Sequence, residues 1–273
     1  MNEVHSFVLL GLVFLSLLAA VYATRCSLER LTGDTVTSRW WALLVIFMAY
    51  FHYLLDFGHP CCTPFLLPYD LPSMAFFAIA ISLFIAGRMP LFYLCFAIGS
   101  LNRESTLFLV PMYMLYASAS VTPDARKRAL RSIAVHSLGL TVLWLAIRAY
   151  LHHLYPAATM VQQHTHIGTF EIHVVDNIGY LLRPYYWASY LSMFGFSWIY
   201  LYAHWKDVPN RGIRRAMWIG PMMLAAMYIV GVLSEIRIFG ELISLFAIAL
   251  TLLLRHKFPR GTTWNEPVSE RSF

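Results

Sequence analysis

The chain has 273 residues, 59% of them hydrophobic and only 12% charged, whereas about a quarter of a soluble domain is charged; this excludes a water-soluble fold and marks a polytopic membrane protein. The formal net charge of +6 does not argue for nucleic acid, because the basic residues stand in short loops beside apolar runs, where membrane topology accounts for them. Four cysteines, with Cys61 and Cys62 adjacent, set up no disulfide framework.

The first apolar run, Val4 to Thr24, is followed rather than preceded by the basic residues Arg25 and Arg30. It therefore reads as a retained helix with its N-terminus outside, not as a cleaved leader. Further runs near 40–57, 71–87, 129–150, 186–203, 216–234 and 238–254 are long enough, with small extensions, to cross about 30 Å of hydrocarbon. That makes about seven spans. The stretch 90–119 behaves differently, because Asn102-Arg103-Glu104-Ser105 interrupts it. Its first limb, Leu91 to Leu101, would reach only about 16 Å as a helix, half way through the core. A re-entrant or short helical hairpin with its polar vertex inside the protein is expected there. The fold class is thus all-α, a polytopic transmembrane helical bundle. Residues 1–257 form a single integral membrane domain and 258–273 a short cytoplasmic tail.

Sixteen of the twenty Lys and Arg residues fit one set of cytoplasmic loops, as the positive-inside bias requires. Arg103, Arg148, Arg183 and Arg237 are left in the membrane or at its outer face, where a charge costs about 2.5–3.5 kcal/mol at a helix centre. Arg103 offers a planar fork that matches two phosphate oxygens, and Glu104 is placed to fix it or to take a proton. A buried Arg–Glu latch that only pins helices is the alternative. Glu235, Arg237 and Glu241 form a second cluster, with Arg237 and Glu241 one helical turn apart; it reads as a structural salt bridge or as part of a phosphate site. Asp56 and Asp70 flank a proline-rich outer loop. Either can serve as a general base if its surroundings tune it, although Asp70 also suits a helix cap.

His152, His153, His164, His166 and His173 are dense but lack metal-site spacing, and no metal site is assigned. Walker, Gly-x-Ser-x-Gly and dinucleotide-binding signatures are absent from the sequence.

Three stretches carry a resemblance: Tyr69-Asp70-Leu71-Pro72, Leu101-Asn102-Arg103-Glu104-Ser105-Thr106, and Glu235-Ile236-Arg237-Ile238-Phe239-Gly240-Glu241-Leu242. Together, over roughly residues 40–254, they resemble small bacterial membrane proteins that are themselves similar to the transmembrane part of GT-C glycosyltransferases. The resemblance implies a polyprenyl-phosphate-linked sugar as co-substrate, with chemistry at the outer face. It implies Asp70 or Asp56 as catalytic base and Arg103 and Arg237 as the clamp on the lipid phosphate. Asn102, Glu104, Glu235 and Glu241 would orient those arginines. No further cofactor follows, and a divalent metal is left open. The expected setting is the bacterial inner membrane, N-terminus outside and C-terminus cytoplasmic, with membrane lipids and a lipid-linked substrate as partners and no nucleic acid. Two other readings stay open: a carrier or flippase for an anionic or lipid-linked substrate, and a non-catalytic subunit of a membrane complex.

Overall fold

The computed structural model describes residues 3–53, 70–121, 126–155, 165–167, 170–231, 233 and 236–258. Helix α1 (Glu3–Thr32) runs long because it contains no proline, and Arg25 pairs with Glu29 one turn on, Nε to Oε1 2.7 Å. Asp34 then starts α2 (Thr35–Trp41) by accepting the Thr37 amide at 3.0 Å, which satisfies one orphan donor of the first turn. After α3 (Leu44–Tyr53) comes α4 (Asp70–Ile85). Its end is closed by Gly87 in the left-handed region, φ +68°, with the Arg88 amide donating to the Leu83 carbonyl at 2.9 Å. Pro90 sits in the first turn of α5 (Met89–Asn102), where its missing N–H costs nothing.

Arg103 adopts extended backbone and ends α5; a 3-10 turn over Glu104–Phe108 leads into α6 (Leu109–Ala117). The chain has doubled back. Phe92, early in α5, has its ring 5.9 Å from that of Tyr113 in α6, and Phe84, at the end of α4, lies 5.0 Å from Tyr116. Both limbs pack on α7 (Arg126–Leu154), where the Tyr93 hydroxyl donates to the His136 carbonyl at 3.1 Å.

A short antiparallel pair follows, β1 (Thr165–Ile167) with β2 (Phe170–Ile172). Then come α8 (Val174–Leu181), α9 (Pro184–Ser192), α10 (Ser197–Ala203), α11 (Arg211–Ala216), α12 (Ile219–Val230) and α13 (Ile243–Lys257). Apart from that pair the described elements are helical. The run 186–203, expected as one span, is broken: Phe194, Gly195 and Phe196 all have positive φ, separating α9 from α10. Tertiary packing outweighs helix continuity there, since Phe194 is buried with its ring stacked on His52 at 4.9 Å and edge-on to Phe246 at 4.8 Å.

Among the described residues three segments, Phe7–Thr32, Arg126–Leu154 and Ile236–Lys257, are long and apolar enough to cross a membrane. The last is almost wholly buried, whereas the first two expose Phe7, Leu10 and Phe14 on α1 and Leu138, Val142 and Leu145 on α7. Apolar surfaces of that extent are unusual on a soluble monomer and suit contact with lipid. At one end of the bundle Asp34 meets Arg255 at 3.6 Å, Asp207 meets Lys257 at 3.0 Å, and Arg215 donates to the Ser118 carbonyl at 2.9 Å. The start of α4, the hairpin vertex and the start of α13 gather at the other.

Candidate functional site

Asp70 opens α4, Arg103 occupies the hairpin vertex, and Glu241 lies on the 3-10 turn Ile236–Leu242 that precedes α13. Folding joins them. Arg103 Nη1 is 3.0 Å from Asp70 Oδ1 and 3.7 Å from Glu241 Oε1; both acidic side chains are fully buried, while the Arg103 side chain is 12% exposed. Glu241 Oε1 also accepts from the hydroxyls of Ser73, at 2.6 Å, and Ser105. Ser73 is one turn beyond Asp70 on the same face of α4, and Ser105 is two residues past Arg103. Each segment thus supplies one charge, and two of the three add a hydroxyl. Glu241 Oε2 is buried without a hydrogen-bond partner among the described residues.

Arg237, on the same turn as Glu241, acts on the buried Tyr53 phenol at electrostatic range, as do Asp70, Glu241 and Arg103. Among the described residues two carboxylates and two guanidiniums share one neighbourhood, so their formal charges match. That balance is what allows charge to persist away from water. The backbone of Gly240 lies directly against the Tyr53 ring and His52, locking the turn onto α3.

The other face of the same turn is apolar. Phe239 and Leu242 wall a cavity of about 400 Å³, together with Tyr190, Phe194, Trp198 and Phe246 among others. Phe194 joins the two regions, since it lines the cavity and its ring stacks on His52.

Of the residues singled out in the sequence, Asp70, Arg103 and Glu241 are brought into contact, and Arg237 lies nearby. Glu104 pairs instead with Arg148, Oε1 to Nη2 2.9 Å, and is two-thirds exposed; its carbonyl accepts the Trp144 indole at 3.0 Å. Asn102 is the last residue of α5, and Arg183 stands exposed at the start of α9. Asp56 and Glu235 lie outside the described residues, as do Cys61 and Cys62. Among the described residues no group of three His, Cys, Asp or Glu is placed to hold a metal ion. Ser73 and Tyr53 were not singled out, although Asp70-x-x-Ser73 at the start of a helix puts both side chains on one face. No protein-family model, curated protein or solved structure matches the chain.

Proposed function

We propose that this chain is an integral membrane protein of about seven spans and a re-entrant hairpin, which binds a polyprenyl-phosphate-linked sugar and transfers the sugar at the outer face of a bacterial inner membrane. The observation that carries the reading is the two-sided turn at 236–242. One side gives Glu241 to the charged cluster, with Arg237 close by, and the other gives Phe239 and Leu242 to the apolar cavity. A ligand with an anionic head and a long hydrocarbon tail uses both sides; neither a soluble anion nor a plain hydrocarbon does.

In this reading the phosphate competes with Asp70 and Glu241 for Arg103, whose fork bonds two oxygens at once. Asp70, relieved of its partner, accepts the proton of an acceptor hydroxyl as that oxygen bonds to the anomeric carbon. The bond from the anomeric carbon to the phosphate oxygen breaks in the same step, and Arg103 and Arg237 stabilise the charge on the departing polyprenyl phosphate. The head-group site rests on the geometry, and the transfer step rests on the family resemblance.

Native mass spectrometry of the full-length protein with polyprenyl monophosphate tests it. Wild type should retain the phosphate and not the corresponding alcohol, Arg237→Gln should lower retention at least tenfold, and Asp70→Asn should retain ligand while losing sugar transfer. Equal retention of phosphate and alcohol would remove the head-group site.

A second reading, a non-catalytic scaffold, is favoured by one observation: Arg103 already has two carboxylate neighbours. In that case no polyprenyl phosphate is retained, and the paired change Asp70→Asn with Arg103→Gln folds normally.

A further inference from the structure

At the end of the bundle opposite the charged cluster, separated from it by the length of α13 or about 22 Å, a smaller cavity of about 240 Å³ is lined by Tyr202, Trp205, Arg214, Met217, Trp218 and Pro221. Its two indoles meet edge to face at 5.8 Å. Half of Trp218 is exposed, and so is much of the neighbouring Met222 on α12. The only polar group of the lining with a full charge is Arg214, whose guanidinium is held by the Lys206 carbonyl at 2.8 Å. Arg211, Arg214 and Arg215 follow helical spacing and fall on one side of α11. The segment 204–218 carries four Lys or Arg side chains and one acidic one, Asp207, and Asp207 is occupied by Lys257 at 3.0 Å. Among the described residues no carboxylate pairs with Lys206, Arg211, Arg214 or Arg215; the partners of Arg214 and Arg215 are neutral oxygens.

Topology alone accounts for basic residues in this loop, but not for Arg214 lining an indole-walled hollow, one helical turn from Arg211 and beside the exposed Trp218 and Met222. We infer that this hollow is a binding site for the head group of an anionic phospholipid, with Arg211 and Arg214 on its phosphates and the acyl chains lying along Trp218 and Met222. Charge complementarity selects an anionic head group: three arginines on one side of a short helix, paired with no carboxylate among the described residues, attract it at a membrane surface. The apolar floor selects a lipid over a free anion, because inorganic phosphate gains nothing from Trp218 and Pro221. Tryptophan at this level is also the residue that anchors most readily at the head-group boundary.

The site is independent of the proposed sugar transfer and is tested separately. Delipidated full-length protein is titrated with phosphatidylglycerol or phosphatidylcholine and examined by native mass spectrometry. Wild type should retain phosphatidylglycerol at least tenfold more than phosphatidylcholine, and Arg211→Gln with Arg214→Gln should erase the preference. The control pair Arg128→Gln with Arg131→Gln, on α7, removes the same charge elsewhere and should keep it. An excess of inorganic phosphate should leave the lipid in place. Equal retention of the two lipids, equal loss in the control pair, or displacement by inorganic phosphate would each overturn the assignment.

Discussion

Replacing Arg103 with glutamine would leave Asp70 and Glu241 buried together without the cation that lies against both. Removing one member of a buried ionic group costs about 3–5 kcal/mol, because the remaining charge loses its compensation. Arg103→Gln should therefore lower the denaturant midpoint in detergent by that amount, and adding Asp70→Asn should restore more than half of the loss. A wild-type midpoint for the single variant would mean that the carboxylates are hydrated and the cluster is open. Gly240 gives a sharper steric test. A Cβ there would overlap the Tyr53 hydroxyl and ring and press on His52, so Gly240→Ala should cost about 1–3 kcal/mol by overpacking. Tyr53→Phe in that background should recover only part of it, since the overlap with the ring remains. The sequence singled out Arg103 and Arg237 as charges left in the membrane or at its outer face, Asp70 as a candidate base or cap, and Glu241 as a partner of Arg237. It did not show their pairing, because Ser105 and Ser73 reach Glu241 across 136 and 168 positions. Helical periodicity relates residues three or four apart and is silent at such separations, so Glu104 stood out as the natural partner of Arg103.

Elements were legible where length or punctuation decided them. The hairpin at 90–119 follows from a limb too short to span and a vertex too polar to face lipid, and the ring contact between Phe92 and Tyr113 agrees with it. The break between α9 and α10 could not be read, because Phe-Gly-Phe in an apolar run carries no stop signal stronger than one glycine. That break yields a contrast between neighbours. Phe194 and Phe196 both have positive φ, at 54° and 62°, a conformation costing non-glycine residues about 1–2 kcal/mol. Phe196 is half exposed whereas Phe194 is buried against His52 and Phe246. Thermal unfolding should find Phe196→Gly unchanged or stabilised by up to about 1 kcal/mol, while Phe194→Gly loses about 3–5 kcal/mol of packing. Equal effects would mean that the backbone, not the stack, holds the turn. At the end of α12 a single side chain does the corresponding work: the Asn177 amide donates to the Tyr228 and Gly231 carbonyls at 2.9 and 2.7 Å, and its oxygen accepts the Leu233 amide at 2.8 Å.

For the molecule as a whole, the paired ends carry the topology argument. Asp34, just past α1, bonds the Thr37 amide and faces Arg255; although burial opposes it, these contacts hold its carboxyl below the usual range. A depressed carboxyl stabilises the fold above its ordinary pKa of about 3.9 and loses that contribution as pH falls through its lower folded value. Wild type should therefore exceed Asp34→Asn in stability at pH 7 by about 1 kcal/mol or less, and the gap should close below about pH 4. The same contact joins the loop after α1 to the end of α13, and Asp207 joins the 205–215 connection to that end as well. Loops that the charge bias assigns to the cytoplasm thus meet at one end of the bundle, an agreement that charge counting does not itself require. Helix α7, at 29 residues, spans about 43 Å, more than the hydrocarbon of a bilayer, and if it crosses, its two ends report on opposite faces. In a cysteine-free background, Tyr155→Cys should react with a membrane-impermeant maleimide on intact cells, while Arg128→Cys and Lys206→Cys should react only after permeabilisation. The reverse pattern would keep the helix packing but turn the charged cluster toward the cytoplasm, removing an outer-face transfer site. Labelling of Arg128→Cys and Tyr155→Cys from the same side would mean that α7 does not cross, and the spans would have to be redrawn around α1 and α13.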